Sequence, residues 1–134
     1  MRRVEILQRL SGTVRDELVS FVDGITAQLG ARPLSDHLWL DLRSGGSDGF
    51  LVFTVAEPAT VGLAVVSATH DGRLLEVAVR PGHDAATVAL DLADTAIEAV
   101  TRTGGGRLTW WVDDADPDVD ALAATHGLAL HRRL

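Results

Sequence analysis

Cysteine, lysine and tyrosine are all missing from this 134-residue chain, and each absence removes a class of chemistry. Without cysteine there is no disulfide, no thiol nucleophile and no thiolate metal site, and the redox compartment stays open. Without lysine no Schiff base can form; all twelve basic residues are arginine. Without tyrosine there is no phenolic proton donor. Positive charge is also scarce: the formal net charge is −7, which argues against a nucleic-acid surface. No apolar run approaches the roughly 20 residues that a membrane helix needs. The opening MRRVEILQRL is too short and too polar for a signal peptide, so the reading is a cytoplasmic protein without a membrane segment.

What remains is an ordinary folding composition, 46% hydrophobic and 23% charged, at a length that suits one domain. Val4 to Leu10 reads as a strand. Thr13 is the expected cap of a helix in which Val14, Leu18, Phe21, Val22, Ile25 and Leu29 recur at helical spacing. Asp16 and Glu17 fall in its first turn and Gly30 closes it. Ser35 caps a short helix to Leu42, with Leu34 and Trp39 placed as a hydrophobic staple. Phe50 to Val55, Val61 to Thr69 and Leu74 to Val79 read as strands, turned at Glu57-Pro58 and Asp71-Gly72.

A long helix follows over roughly Asp84 to Arg102, its polar residues Asp84, Thr87, Asp91, Asp94 and Glu98 on one stripe. Leu108 to Val112 is another strand. Asp116-Pro117 opens a last helix to about Thr125, and Leu128 to Leu134 returns as a strand. The order is β-α-α-β-β-β-α-β-α-β, which predicts an α/β protein with a mixed sheet and helices on both faces.

The junction from Leu74 to Val100 carries the functional signal. Leu75, Val77 and Val79 alternate with Glu76, Ala78 and Arg80, Pro81 and Gly82 break the strand, and the long helix starts near Asp84. A helix that starts just past a strand offers unpaired N–H groups to an anion.

Order and junction together resemble the GNAT acyl-CoA N-acyltransferase fold over nearly the whole chain. The details are most similar to the mycothiol synthases, which carry two tandem GNAT domains. The segments that carry the likeness are Ala31 to His37, Glu76 to His83, and Leu122 to Leu128. The resemblance implies a single GNAT-like domain over 1–134, the N-terminal half of a tandem protein, lacking the fold's final strand. A second GNAT domain or a second copy of the chain would then complete the sheet edge.

The resemblance also assigns roles. Glu76 occupies the position of the general base that draws a proton from an amine, and the amides of Val77 and Val79 that of the groups engaging the pantetheine arm of acetyl-CoA. The phosphate-gripping motif falls on Asp84, Ala85, Thr87 and Ala89. Where relatives carry Arg or Gln and then Gly, this chain has Asp84 and Thr87; only Ala89 conforms. Glycine lets main-chain amides approach a diphosphate closely, and Asp84 and Asp91 add negative charge to an anion site. The usual acid, a tyrosine near Ala123, is absent, and His126 lies beside the helix-ending Gly127.

Rival readings stand beside these. Glu76 is either a base or a solvated strand residue, and His83 either touches a ligand or caps its turn. Asp113, Asp114, Asp116, Asp118 and Asp120 lack a calcium loop's central Gly, and position twelve is Thr125; no metal is expected. Trp110 and Trp111 face opposite sides of the sheet, one in the core and the other at a contact. GSDG and TGGG are loops. Three functions follow: a degenerate, supporting domain of a mycothiol synthase-like N-acetyltransferase; an active acetyl-CoA-dependent N-acetyltransferase with Glu76 as base, acting on a small amine; or a non-enzymatic dimerising or small-molecule-binding module.

Overall fold

The computed structural model describes residues 4–46, 50–56, 59–70, 72–82, 84–103, 107–112, 120–121, 124 and 130–132. Its elements are β1 (Val4–Leu7), α1 (Gly12–Leu29), α2 (Asp36–Ser44), β2 (Leu51–Ala56), β3 (Thr60–Thr69), β4 (Gly72–Val79), α3 (Ala85–Arg102), β5 (Leu108–Val112) and β6 (Leu130–Arg132). The expected order holds through β5. The helix expected from Asp116 to Thr125 lies mostly outside the described residues. No helix among the described residues is long and apolar enough to cross a membrane.

Local rules explain most boundaries, and one expectation fails. The cap of α1 is Ser11, not Thr13. Ser11 has the extended backbone of a cap (φ −65°, ψ 160°), and its hydroxyl accepts the N–H of Val14 at 3.3 Å. Thr13 therefore lies inside the helix, and Asp16 and Glu17 fall beyond its first turn. At the other end Gly30 takes the left-handed conformation (φ 77°) that a side chain would resist. Leu29, expected on the apolar face, is 58% exposed there. Around α2, the staple forms as expected: Leu34 and Trp39 are buried in the same cluster.

The sheet runs in the order β1-β2-β3-β4-β5-β6. The first four strands pair antiparallel, whereas β4–β5 and β5–β6 are parallel. Gly72 opens β4 opposite Thr69, and it serves more than the turn. A Cβ there would lie 2.4 Å from the carbonyl oxygen of Arg107, which accepts the N–H of Arg73 at 2.8 Å. The missing side chain lets the strand entering β5 approach.

Each face of the sheet is covered. On one, α3 buries Val88, Leu92, Ala93, Ala96, Ile97 and Val100 against Phe53, Val55, Ala64, Val66, Leu75 and Trp110. Gly62 makes that contact close, since an added Cβ would sit 2.8 Å from Val88 and 2.9 Å from Leu92. Thr87, Asp91 and Glu98 form the exposed edge of α3, with Asp84 and Asp94 half-buried. On the other face, α1 and α2 lay Leu18, Val22, Ile25, Leu38, Trp39 and Leu42 over Val52, Leu63, Val65 and Ala78. Trp110 is thus the core tryptophan of its pair. The Trp111 side chain lies outside the described atoms.

Candidate active site

The centre of the candidate site is β4, where strand alternation decides which way each group points. Glu76 stands opposite Val65 on β3, which places it on the face covered by α1 and α2. It is only 1% exposed, so the solvated reading of this residue does not describe it. Oε1 accepts the main-chain N–H of Ser35 at 2.6 Å. Ser35 has cap geometry (φ −66°, ψ 163°), yet its side chain makes no cap hydrogen bond. Its hydroxyl is buried with no hydrogen-bond partner among the described residues. The main chain of Ser35, rather than its side chain, meets the carboxylate.

Further along the same face lies a polar group that the sequence reading did not identify. Ser67 on β3 is fully buried, donates to Asp41 Oδ2, and lies 3.2 Å from His37 Nε2. His37 and Asp41 stand one turn apart on α2, with 4.0 Å between Nε2 and Oδ2. The signals were available: a lone serine in the apolar run of β3, and a His/Asp pair at i, i+4.

Val77 and Val79 turn their side chains toward the α3 core, packed against it and half-buried. Their main-chain groups point elsewhere. The N–H of Arg80 donates to Val61 on β3 at 2.9 Å, whereas that of Arg73 reaches toward β5, to Arg107. Because direction alternates along a strand, the N–H and C=O of Val77 and Val79 face the β5 side. There the ladder ends. The described β4–β5 pairs run only from Arg73–Leu108 to Leu75–Trp110, while Trp111 and Val112 pair with β6. Beyond Leu75 no described pair joins β4 to β5, so the main-chain groups of Val77 and Val79 stand outside that ladder.

The mouth of α3 lies beyond it. Asp84 is the N-terminal boundary residue at φ −108°, ψ 10°, outside the extended conformation of a capping side chain. A Cβ on Gly82 would lie 3.8 Å from its Oδ1, so the carboxylate sits at the loop entering the helix. The N–H of Ala85 is already donated to Gly82 at 3.2 Å and that of Val88 to Asp84 at 3.1 Å. Thr87 is exposed and Ala89 half-buried. A cavity of about 230 Å³ opens here, lined by Val61, Val79, Arg80, Pro81, Asp84 and Val88. A diphosphate does not fit this mouth well: it meets a carboxylate, an occupied amide and a branched side chain. His83, His126 and the aspartates at 113, 114, 116 and 118 lie outside the described residues.

Among curated proteins, the chain is 30% identical over 138 aligned positions to a mycothiol acetyltransferase of Acidothermus cellulolyticus, covering 98% of this chain and 41% of that protein. Another, from Streptosporangium roseum, is 31% identical over 98% of this chain and 39% of its own length. The chain is thus similar to the mycothiol acetyltransferases over nearly its whole length. It spans about two fifths of the length of these relatives. Solved GNAT structures share the fold. The ribosomal-protein-S18-alanine N-acetyltransferase of Escherichia coli superposes with a TM-score of 0.65 at 19% identity, over 95% of this chain and 77% of that one. An aminoglycoside N-acetyltransferase in complex with CoA gives 0.58 at 17% identity, over 100% and 93%. No protein-family model matches the chain.

Proposed function

We propose that the chain is a supporting, non-catalytic GNAT domain of a cytoplasmic, mycothiol acetyltransferase-like N-acetyltransferase, in which acetyl transfer belongs to another domain. The observation that carries this reading is the mouth of α3, where Asp84 and Thr87 stand at the phosphate positions and Ala85 has already given its N–H away. Buried Glu76, tied to Ser35, then serves as an anchor for α2. A second GNAT domain or a second copy of the chain would pair with an outer strand, β1 or β6.

Like charges at the mouth weaken diphosphate binding by about a hundredfold or more. Calorimetry with acetyl-CoA therefore gives no tight binding for the native protein. The double variant Asp84→Arg, Thr87→Gly gains at least about tenfold in affinity, since it supplies a cation and opens the main chain. Tight binding by the native protein overturns the proposal.

A second reading, an active N-acetyltransferase acting on a small amine, draws support from Glu76 on β4, at the position the resemblance gives to a general base, and from the main-chain groups of Val77 and Val79, which stand outside the described β4–β5 ladder. In that case Glu76→Gln abolishes turnover and leaves coenzyme affinity in place.

A further inference from the structure

Glu76 is a charge-bearing group in a buried place, and such a group has to be held by something other than water. One partner comes from 41 residues away in sequence, the main-chain N–H of Ser35 at the amino end of α2. We propose that Ser35 is the positioning residue of Glu76, acting through its main-chain N–H, so that the start of α2 fixes both the direction and the negative charge of that carboxylate. The inference goes beyond either functional reading, because it holds whether Glu76 serves as an anchor or as a proton acceptor.

Four observations converge on it. The N···O distance of 2.6 Å is short for an amide hydrogen bond, so one carboxyl oxygen is aimed at this main-chain donor. Ser35 precedes the first turn of α2, whose end carries partial positive charge that favours an anion. The serine hydroxyl takes no part in capping, which leaves the main chain as the contributing group. Finally, α2 has other holds besides Glu76. Ser67 bonds Asp41, Leu38 and Leu42 are fully buried, and Arg32 bonds both the carbonyl of Leu34 and Asp36 at the entry to the helix. The donor is a fixed point to which the carboxylate comes.

The backbone supplies a test. At φ −66° Ser35 already has the angle that proline imposes; Ser35→Pro removes the N–H donor and sets its ring Cδ where Oε1 lies, so the carboxyl must withdraw, whereas Ser35→Ala keeps the donor. In NMR spectra of the native protein, the Ser35 amide proton should lie downfield and follow the ionisation of the Glu76 carboxyl, and it should move upfield in Glu76→Gln. The ¹³C titration midpoint of Glu76 should shift to higher pH in Ser35→Pro, because a donor to the charged form is lost, and stay in place in Ser35→Ala. The proposal is overturned if the Ser35 amide is blind both to that ionisation and to Glu76→Gln, or if Ala and Pro move the midpoint equally. Should Ser35→Pro fail to fold, the native protein and Glu76→Gln decide the matter alone. Acetyl-CoA does not enter these measurements, so their outcome is separate from that of the calorimetry.

Discussion

The two faces of the sheet are built on different principles. Under α3 the cluster is hydrophobic throughout, from Phe53 and Val55 across to Ile97 and Val100. Under α1 and α2 the cluster is equally buried, yet it includes Thr54, Ser67 and Glu76, which are the buried polar residues among those described. Strand alternation makes the division possible: Leu75 and Glu76 are neighbours in sequence and face different helices. One face is organised by volume and the other by partners. A buried polar group costs free energy unless it is matched, so its presence in this otherwise apolar layer marks where geometry is specified.

Substitutions can break that contrast or sharpen it. The largest loss is expected on the α3 face, where Leu92→Ala removes a fully buried side chain from a tight layer and should cost about 2–5 kcal/mol in urea unfolding. On the other face, Glu76→Ala should cost about 2–3 kcal/mol, because it strands the N–H of Ser35. Glu76→Gln keeps an acceptor of the same shape and should cost about 1 kcal/mol or less. If the Ala and Gln variants unfold alike, matching of the Ser35 N–H does not govern this face, and the distinction fails. Ser67→Ala should likewise cost only about 1 kcal/mol; it leaves Asp41 at the half-buried edge of α2, where water can take over.

The sequence exposed one face more fully than the other. Periodicity identified α3 and its acidic edge, because every buried position obeys the helical repeat and depends on nothing distant. The alternation along β4 likewise placed Leu75 and Glu76 on opposite sides. What could not be read was the environment of Glu76. Its partner comes from a main-chain group far off in sequence, and no side-chain pattern encodes that meeting. Ser67 was passed over for the same reason, since a serine in a strand gains meaning only when α2 brings Asp41 to it. The error at Thr13 is local: two hydroxyl residues stand two apart, and only the conformation of Ser11 decides between them. The residue types at the start of α3 were legible, because they stand at fixed offsets from a strand end.

The end of the β4–β5 ladder at Leu75 has an evolutionary corollary. What Val77 and Val79 turn toward the β5 side is peptide, and nearly every amino acid supplies the same peptide groups. Mutational drift can strip charge and glycine from a neighbouring loop while leaving those groups untouched, and proline alone among the natural residues would delete a donor there.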